Sequence, residues 1–111
     1  MENIKNSEQF STLVNGDKAV VMLFSANWCP DCQFIDTFID EITENNHEEF
    51  DFYKVDSDAR KDICALANVM GIPSFVAYKG GITLAEFIGN DPKTKEQIEE
   101  FLENAKAKLQ G

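Results

Sequence analysis

Residues 19–32 of the chain read AVVMLFSANWCPDC, an apolar run that leads directly into two cysteines with C-x-x-C spacing. Such an unbroken apolar run is typical of a strand that is covered on both faces in a parallel sheet. In open α/β sheets, ligands and reactive groups collect where the chain leaves the carboxyl ends of the strands. We therefore predict a buried strand that ends at about Ser25, with Cys29 and Cys32 at the functional edge of the sheet.

The residues after the cysteines predict a helix followed by a second strand. One apolar stripe has helical spacing, with acidic residues opposite, and comprises Phe34, Ile35, Phe38, Ile39 and Ile42. Residues 50–55 read as the next strand. Strand, helix and strand form a βαβ unit, so the two strands should be parallel and joined by a right-handed crossover.

Three more segments complete the first two thirds of the chain. A short strand is predicted at residues 2–4, and a helix follows in which Asn6 can cap the first turn with Gln9 three residues on. A further short helix is marked by Ile63, Leu66, Ala67 and Met70. It should stop at Gly71-Ile72-Pro73, because proline restricts the residue before it and cannot donate to a helix.

The last third predicts a hairpin and a helix. Residues 75–78 and 84–88 are short strands that flank Gly80-Gly81, a hairpin signal. Thr94-x-x-Gln97 opens a helix whose inward side chains are Ile98, Phe101, Leu102, Ala105 and Leu109. The predicted fold class is α/β, with a mixed central sheet flanked by helices on both faces.

Composition limits the class of protein. The 111 residues suit one domain spanning 1–111, and 43% hydrophobic residues with nine Phe can build a core. A net charge of −10 argues against nucleic acid as a partner, because phosphates require a basic surface. The longest apolar run, residues 19–24, is far below the roughly 20 residues of a membrane span, and no signal peptide is visible. We therefore expect a cytoplasmic monomer that binds no membrane.

The predicted position of the cysteines at the start of a helix favours thiol chemistry. The free N–H groups and the positive end of the helix stabilise an anion, and the thiolate is the reactive form of cysteine. Cys29, at the exposed start, should attack, and Cys32, under the first turn, should resolve. Pro30 fits the first helical turn, where its missing N–H costs nothing. Asp31 suits the helix start but repels a neighbouring thiolate.

A metal site is the main alternative to this chemistry. Zinc and iron–sulfur sites need four ligands, and the only other soft candidates, Cys64 and His47, do not have ligand spacing. We therefore predict no metal and no cofactor. Cys64 is expected to be a small buried hydrophobe, with a regulatory or dimer-forming thiol as the alternative. A non-catalytic protein-binding module also stays open.

The motifs resemble those of the thioredoxin family over essentially the whole chain. Residues 28–32 resemble its W-C-x-x-C active-site motif, and residues 71–74, Gly-Ile-Pro-Ser, are similar to its cis-proline loop. Gly80-Gly81 and Gly89 fit the closing hairpin of that family. The resemblance implies the thioredoxin fold and a thiol–disulfide oxidoreductase that reduces protein disulfides.

The resemblance also assigns roles to residues. It implies that Cys29 and Cys32 form the redox-active disulfide, that Pro73 is cis and lies against it, and that the backbone of Ile72 pairs with an extended substrate. Trp28 would shield the site and form part of the docking surface. The partners would be proteins with disulfides and a reductase or other thiol donor that recycles the pair. A dedicated reductase for one partner or a small thiol adduct is the alternative.

The chain departs from the family pattern at three places. Leu23 stands where typical thioredoxins carry a buried Asp beneath the resolving cysteine, and Phe52 replaces the Lys that accompanies it. Pro30-Asp31 replaces the usual Gly-Pro between the cysteines. Because the buried acid is the family's proposed proton acceptor, we expect Asp31 or a water to take that part.

Overall fold

The computed structural model describes residues 1–110, in which a five-stranded mixed sheet lies between two groups of helices. The strands are β1 (Glu2–Asn3), β2 (Val20–Ser25), β3 (Asp51–Asp56), β4 (Ser74–Lys79) and β5 (Ile82–Phe87). The helices are α1 (Ser7–Val14), α2 (Pro30–Asp36), α3 (Ile39–Asn45), α4 (Lys61–Ala67) and α5 (Lys95–Gln110). No helix in the described range is long and apolar enough to cross a bilayer.

Strand β2 lies at the centre of the sheet, whose order is β1-β3-β2-β4-β5. It pairs in parallel with β3, from Val20 opposite Asp51 to Ser25 opposite Asp56, which confirms the predicted parallel pair. It pairs antiparallel with β4, and β4 and β5 form the predicted hairpin. All six residues of β2 are buried, so the chain leaves a fully covered strand at Ser25.

Two apolar clusters cover the two faces of the sheet. Alternate residues of β2 point to opposite faces, as strand geometry requires. Val21 and Leu23 join the cluster that α2, α3 and α5 cover, and Val20, Met22 and Phe24 join the one that α1 and α4 cover. The prediction of a mixed sheet with helices on both faces is confirmed.

Side-chain caps begin the first and the last helix, as predicted. The Asn6 side chain accepts from the Gln9 backbone N–H at 2.8 Å, and the Gln9 side chain accepts from the Lys5 N–H at 2.7 Å. Thr94 and Gln97 form a reciprocal capping box, in which the Thr94 hydroxyl accepts the Gln97 N–H at 3.1 Å and the Gln97 side chain accepts the Thr94 N–H at 3.0 Å. These bonds satisfy N–H groups that have no partner within the helix.

The prediction of one continuous helix through Phe34–Ile42 is wrong, because the helix breaks at residues 37–38. The Thr37 hydroxyl donates to the Phe34 carbonyl at 2.6 Å, and the Phe38 N–H bonds to Ile35, three residues back. Phe38 adopts a φ of −135°, outside the helical range. Phe34 is exposed, whereas Ile35, Ile39 and Ile42 keep the buried positions predicted for them.

The short helix α4 buries less of its apolar stripe than predicted. Ile63 is fully buried, but Leu66 is exposed and Met70 is 96% exposed. The helix ends at Ala67 because Asn68 takes a left-handed conformation with φ 60°, so Met70 lies beyond the helix. The exposed methionine instead stands at the edge of the sheet where β2 ends.

The packing of α5 on the sheet generates a stability prediction. Phe101 is buried against Phe75, with ring centroids 5.9 Å apart, and against Phe87 at 6.4 Å. Phe101→Ala should therefore lower the free energy of unfolding by about 3–5 kcal/mol, because it leaves a cavity in the core. Chemical denaturation measures the loss. Asn104→Ala, on the exposed side of the same helix, is the control and should change stability by less than about 0.5 kcal/mol.

Candidate active site

The two cysteines of the motif lie at the turn between β2 and α2. Cys29 is the N-cap residue of α2, in an extended conformation, and Pro30 occupies the first turn as predicted. The Cys29 sulfur accepts the backbone N–H of Cys32 at 3.2 Å, which satisfies one of the free donors of the helix start. The local sequence thus places both sulfurs at the carboxyl end of the central strand.

The prediction that Cys29 is exposed is wrong, because only 5% of Cys29 and 2% of Cys32 is accessible. Both are free thiols, and with Ala26 and Ile72 they form a small apolar cluster of their own. The two differ in their access to a surface groove rather than in overall exposure. Cys29 lies in the wall of that groove, and Cys32 is not among its lining residues.

The surroundings of Cys32 disfavour its thiolate. Burial is the main cause that raises the pKa of Cys32, to about 11, and a hydrogen bond with the Cys29 side chain adds to it. The Ser25 side chain and the Ala26 backbone offset part of this shift through hydrogen bonds. Cys32 is therefore a protonated thiol at neutral pH.

The groove has a volume of about 550 Å³ and lies between the cysteine turn and the end of α4. Its lining comprises Trp28, Cys29, Pro30, Asp31, Ser57, Cys64, Val69, Met70, Gly71, Ile72 and Asn90. Trp28 and Met70 are its most exposed apolar side chains, at 65% and 96%. An open apolar groove of this kind suits a chain segment of another molecule.

Trp28 is held over the groove by a residue that follows strand β3. Its indole N–H donates to the Asp58 carboxylate at 2.7 Å, and the Asp58 backbone N–H bonds to the Asp56 side chain at 3.0 Å. Our sequence analysis did not assign this role to Asp58. The available signal was that β2 and β3 are parallel neighbours, so residues leaving their carboxyl ends must lie close together.

The Ile72–Pro73 peptide bond is cis, and Ile72 packs against the two cysteines. Ser74 links the loop before this peptide bond to the segment after β5 through two hydrogen bonds. The Ser74 hydroxyl donates to the Gly71 carbonyl at 2.6 Å and accepts the Gly89 N–H at 3.1 Å. Gly71 is required here, because a Cβ at this position would lie 2.8 Å from the backbone nitrogen of Asn90.

Leu23 and Phe52 lie on the face of the sheet that α2, α3 and α5 cover. Leu23 is buried in the cluster that contains Ile35 and Phe75. Phe52 is half-buried in the same place and packs its ring against Phe50 at 6.2 Å. Leu23 thus replaces a carboxylate with hydrocarbon, but the prediction that Phe52 takes the place of the accompanying lysine is wrong. Lys54 lies directly opposite Leu23 in the β2–β3 pair, and its ammonium group donates to the Asp36 carboxylate at 3.1 Å.

A buried lysine, which our sequence analysis did not single out, lies in the loop before α5. Only 2% of Lys93 is accessible. Its ammonium group donates to the carbonyls of Gly89 at 2.9 Å and Asp91 at 3.2 Å, and it stands 4.7 Å from the centroid of the Phe87 ring. Only the tertiary fold shows that this side chain turns inward.

The remaining soft side chains do not join the two cysteines in a metal-binding cluster. Cys64 is half-buried and lines the groove, so it is less enclosed than predicted. His47 is exposed, with its Nδ1 2.7 Å from the Glu44 carbonyl oxygen. Within residues 1–110 no group of three or more His, Cys, Asp or Glu side chains is placed to hold a metal ion.

Two thiols one helical turn apart, at the end of a central strand and beside a cis-proline, define the class of thiol–disulfide redox proteins. The thioredoxin family model matches residues 2–104. Thioredoxin-2 of Saccharomyces cerevisiae is 36% identical over 91 residues, which is 82% of this chain and 86% of that protein. Thioredoxin of Oryctolagus cuniculus is 35% identical over 105 residues, which is 92% of this chain and 99% of that protein. The chain therefore belongs to the thioredoxin family.

Solved structures show the same fold. The crystal structure of thioredoxin from Trypanosoma brucei brucei has a TM-score of 0.83 at 26% identity and covers 95% of this chain and 89% of that one. The structure of Malassezia sympodialis thioredoxin has a TM-score of 0.80 at 28% identity and covers 95% of this chain and 90% of that one. The protein is a thiol–disulfide oxidoreductase, and these similarities favour the enzyme over the metal-binding and non-catalytic alternatives.

The raised pKa of Cys32 predicts a loss of stability in alkali. The folded protein holds this proton more tightly than the unfolded chain, so the free energy of unfolding of the reduced protein should fall as pH rises from 9.0 towards about 11. Cys32→Ala removes the titrating group, so its free energy of unfolding should fall less over this interval. The two proteins should differ in this fall by on the order of 2 kcal/mol. Burial also raises the pKa of Tyr78, to about 12. Because Tyr78 is present in both proteins, its contribution cancels in the comparison.

Chemical denaturation of both reduced proteins at several pH values measures the difference. Parallel stability curves for the wild type and Cys32→Ala would show that the surroundings of Cys32 do not hold its proton.

Proposed function

We propose that Cys29 is the nucleophile and Cys32 the resolving cysteine of a reductase that acts on protein disulfides. The observation that carries the assignment is the unequal access of the two sulfurs. Cys29 lies in the groove wall, where a substrate sulfur can approach it, and Cys32 is buried behind it as a protonated thiol. The hydrogen bond from the Cys32 N–H holds the Cys29 sulfur at the helix start, where a thiolate is stabilised.

The reaction then has two exchanges. The Cys29 thiolate attacks one sulfur of the substrate disulfide, which forms a mixed disulfide and releases the other sulfur as a thiolate. Cys32 loses its proton and attacks the Cys29 sulfur, which releases the second substrate thiolate and leaves a Cys29–Cys32 disulfide. Two electrons pass from the pair to the substrate, and a reductase or another thiol donor returns them.

Asp31 or a water accepts the proton that Cys32 loses in this proposal. Leu23, which stands where the family resemblance places a carboxylate, supplies no acid or base. Asp31 is half-buried and lines the groove beside Cys29. It tunes the site together with Pro30, which starts the helix without an unsatisfied N–H.

The groove favours a protein as the substrate. The backbone of Ile72, next to the cis-Pro73, borders the groove and can pair with an extended segment, as in edge-strand recognition. Trp28 and Met70 add exposed apolar surface to the groove. Trp28 thus belongs to the substrate-binding residues together with Ile72 and Pro73.

We propose that the protein acts as a monomer in the cytoplasm. One relative with the same family name, 29% identical over 91 residues, is the mitochondrial Thioredoxin-2 of Schizosaccharomyces pombe. An analysis of the native mass of the protein and of its location in the cell would test both statements.

The two cysteine variants should fail at different steps. Cys32→Ser should trap the substrate as a mixed disulfide with Cys29, because the first exchange proceeds and the second cannot. Cys29→Ser should form no adduct, because Cys32 is not accessible from the groove. Mass spectrometry of each variant after incubation with a disulfide-bonded protein shows the adduct.

Cys64→Ser is the control for those variants and should retain disulfide reduction. An adduct on Cys29→Ser, or none on Cys32→Ser, would overturn the assignment of the two roles.

Loss of the Trp28 ring should weaken substrate binding. Trp28→Ala removes the exposed indole and its bond to Asp58, so kcat/KM for a protein disulfide should fall about tenfold. Phe34→Ala is a matched control, because Phe34 is also an exposed aromatic of this region but does not line the groove. The control should stay within about twofold of the wild type. Equal losses in the two variants would remove Trp28 from the substrate-binding surface.

A further inference from the structure

Of the residues within 1–110 that line the groove, Asp31 alone carries a charge. The other lining residues are neutral, and most of them are apolar. Asp31 is half-buried, and none of the ion pairs found within the described range involves it. The groove that gives access to Cys29 therefore contains a carboxylate with no cation in direct contact.

Lys93 interacts with Asp31 at longer range but does not pair with it. Burial lowers the pKa of Lys93, and the negative charges of Asp91 and then Asp31 oppose this shift. The Lys93 ammonium group donates to the carbonyls of Gly89 and Asp91 instead, and only 2% of the residue is accessible. It offsets part of the charge of Asp31 from inside the protein, whereas a substrate reaches Asp31 from the groove.

The surface around the groove adds further negative charge. The exposed Asp58 carboxylate accepts the indole N–H of the lining residue Trp28, and the exposed Asp91 directly follows Asn90, which also lines the groove. Lys61, at the start of α4, is exposed but does not line the groove. Since the whole chain has a net charge of −10, its field also favours the approach of cationic groups.

The apolar walls of the groove suit the stem of a basic side chain. Lys and Arg lay their methylene stems along apolar surface and keep the charged end at a polar group. Trp28, Val69 and Met70 provide such surface in the groove. Asp31 lies two positions from Cys29 in the same turn. An extended chain advances about 3.3 Å per residue, so a basic residue beside the attacked cysteine of a substrate comes within reach of Asp31.

We infer that Asp31 determines substrate specificity, and that the preferred substrates are protein disulfides with Lys or Arg next to the cysteine that Cys29 attacks. The inference rests on the proposed role of Cys29 and names the substrate class of that same groove. When the substrate sulfur meets Cys29, the basic side chain forms an ion pair with the Asp31 carboxylate. A Glu at the same place in the substrate is repelled, so the charge selects for one class and against the other.

Matched disulfide-bonded peptides test the inference. Three peptides differ only in the two residues that flank one of their cysteines, which are Arg, Gln or Glu. The second-order rate constant for their reduction is measured with the reduced wild type, Asp31→Asn, Asp31→Glu and the control Asp40→Asn. Asp40 is an exposed carboxylate of α3 that does not line the groove, so its variant makes the same change in net charge elsewhere. Reduction of each peptide by dithiothreitol corrects for its intrinsic reactivity.

The wild type should reduce the Arg peptide about tenfold faster than the Glu peptide at low ionic strength, with the Gln peptide between them. Asp31→Asn should lower this Arg-to-Glu ratio about fivefold, whereas Asp31→Glu and Asp40→Asn should keep it within about twofold. An effect of Asp31 on the Cys29 thiolate alone would change all three rates alike and leave the ratio as it is. The inference is overturned by a ratio that Asp31→Asn does not lower, or lowers no more than Asp40→Asn does.

A measurement on the wild type covers the case in which the variants at Asp31 do not fold. Raising the ionic strength from about 0.01 M to about 1 M shortens the Debye length from about 30 Å to about 3 Å. The Arg-to-Glu ratio should then fall at least about threefold, because the ion pair is half-exposed. A ratio that does not respond to salt overturns the inference. Failure of the proposed function itself would look different, since the wild type would then reduce none of the three peptides.

Discussion

The hydrogen bond from the Cys32 N–H to the Cys29 sulfur, at 3.2 Å, is the contact on which the arrangement of the site depends. It makes Cys29 the cap of α2, so the first sulfur stays at the groove while the helix carries the second inward. The bond forms there because β2 is buried on both faces and ends at Ser25, which leaves a short turn before Pro30 begins the helix. That turn therefore places the two sulfurs of the redox pair in unequal surroundings.

The same burial disfavours the Cys32 thiolate, which the second exchange requires. A sulfur in an apolar setting holds its proton, and the pKa of Cys32 is raised accordingly. Leu23 fills with hydrocarbon the place for which the family resemblance predicts a carboxylate, and Lys54, opposite Leu23 on β3, bonds to Asp36 instead. A different lysine, Lys93, is buried in the loop before α5, where backbone carbonyls and an aromatic face hold it.

Local patterns accounted for the fold well. The apolar run of β2 and the side-chain caps of α1 and α5 depend on neighbours in sequence, and the structure has them where they were predicted. The helix break at Thr37 escaped prediction because the apolar stripe continues across it with the correct period. Periodicity also could not show that nothing covers Met70, since burial depends on which elements pack together.

For the site, the cysteines and the cis-proline were accessible to sequence reasoning because they form contiguous motifs. The burial of Cys29 was not, because it depends on packing against Ile72, more than forty positions away in the chain. The bond between Trp28 and Asp58 joins residues 30 positions apart, and the inward turn of Lys93 depends on Phe87. These contacts exist only once the sheet has assembled.

The central claim is that Cys29 and Cys32 cycle between a dithiol and a disulfide as a reductant. The most direct test is a titration through thiol–disulfide buffers of known potential, followed by the emission of Trp28, the single tryptophan of the chain. The account predicts one reversible two-electron transition with a midpoint near or below about −250 mV, and its absence from Cys29→Ser. A folded wild-type protein with no transition would contradict the redox pair, and a midpoint near about −150 mV would contradict its use as a reductant.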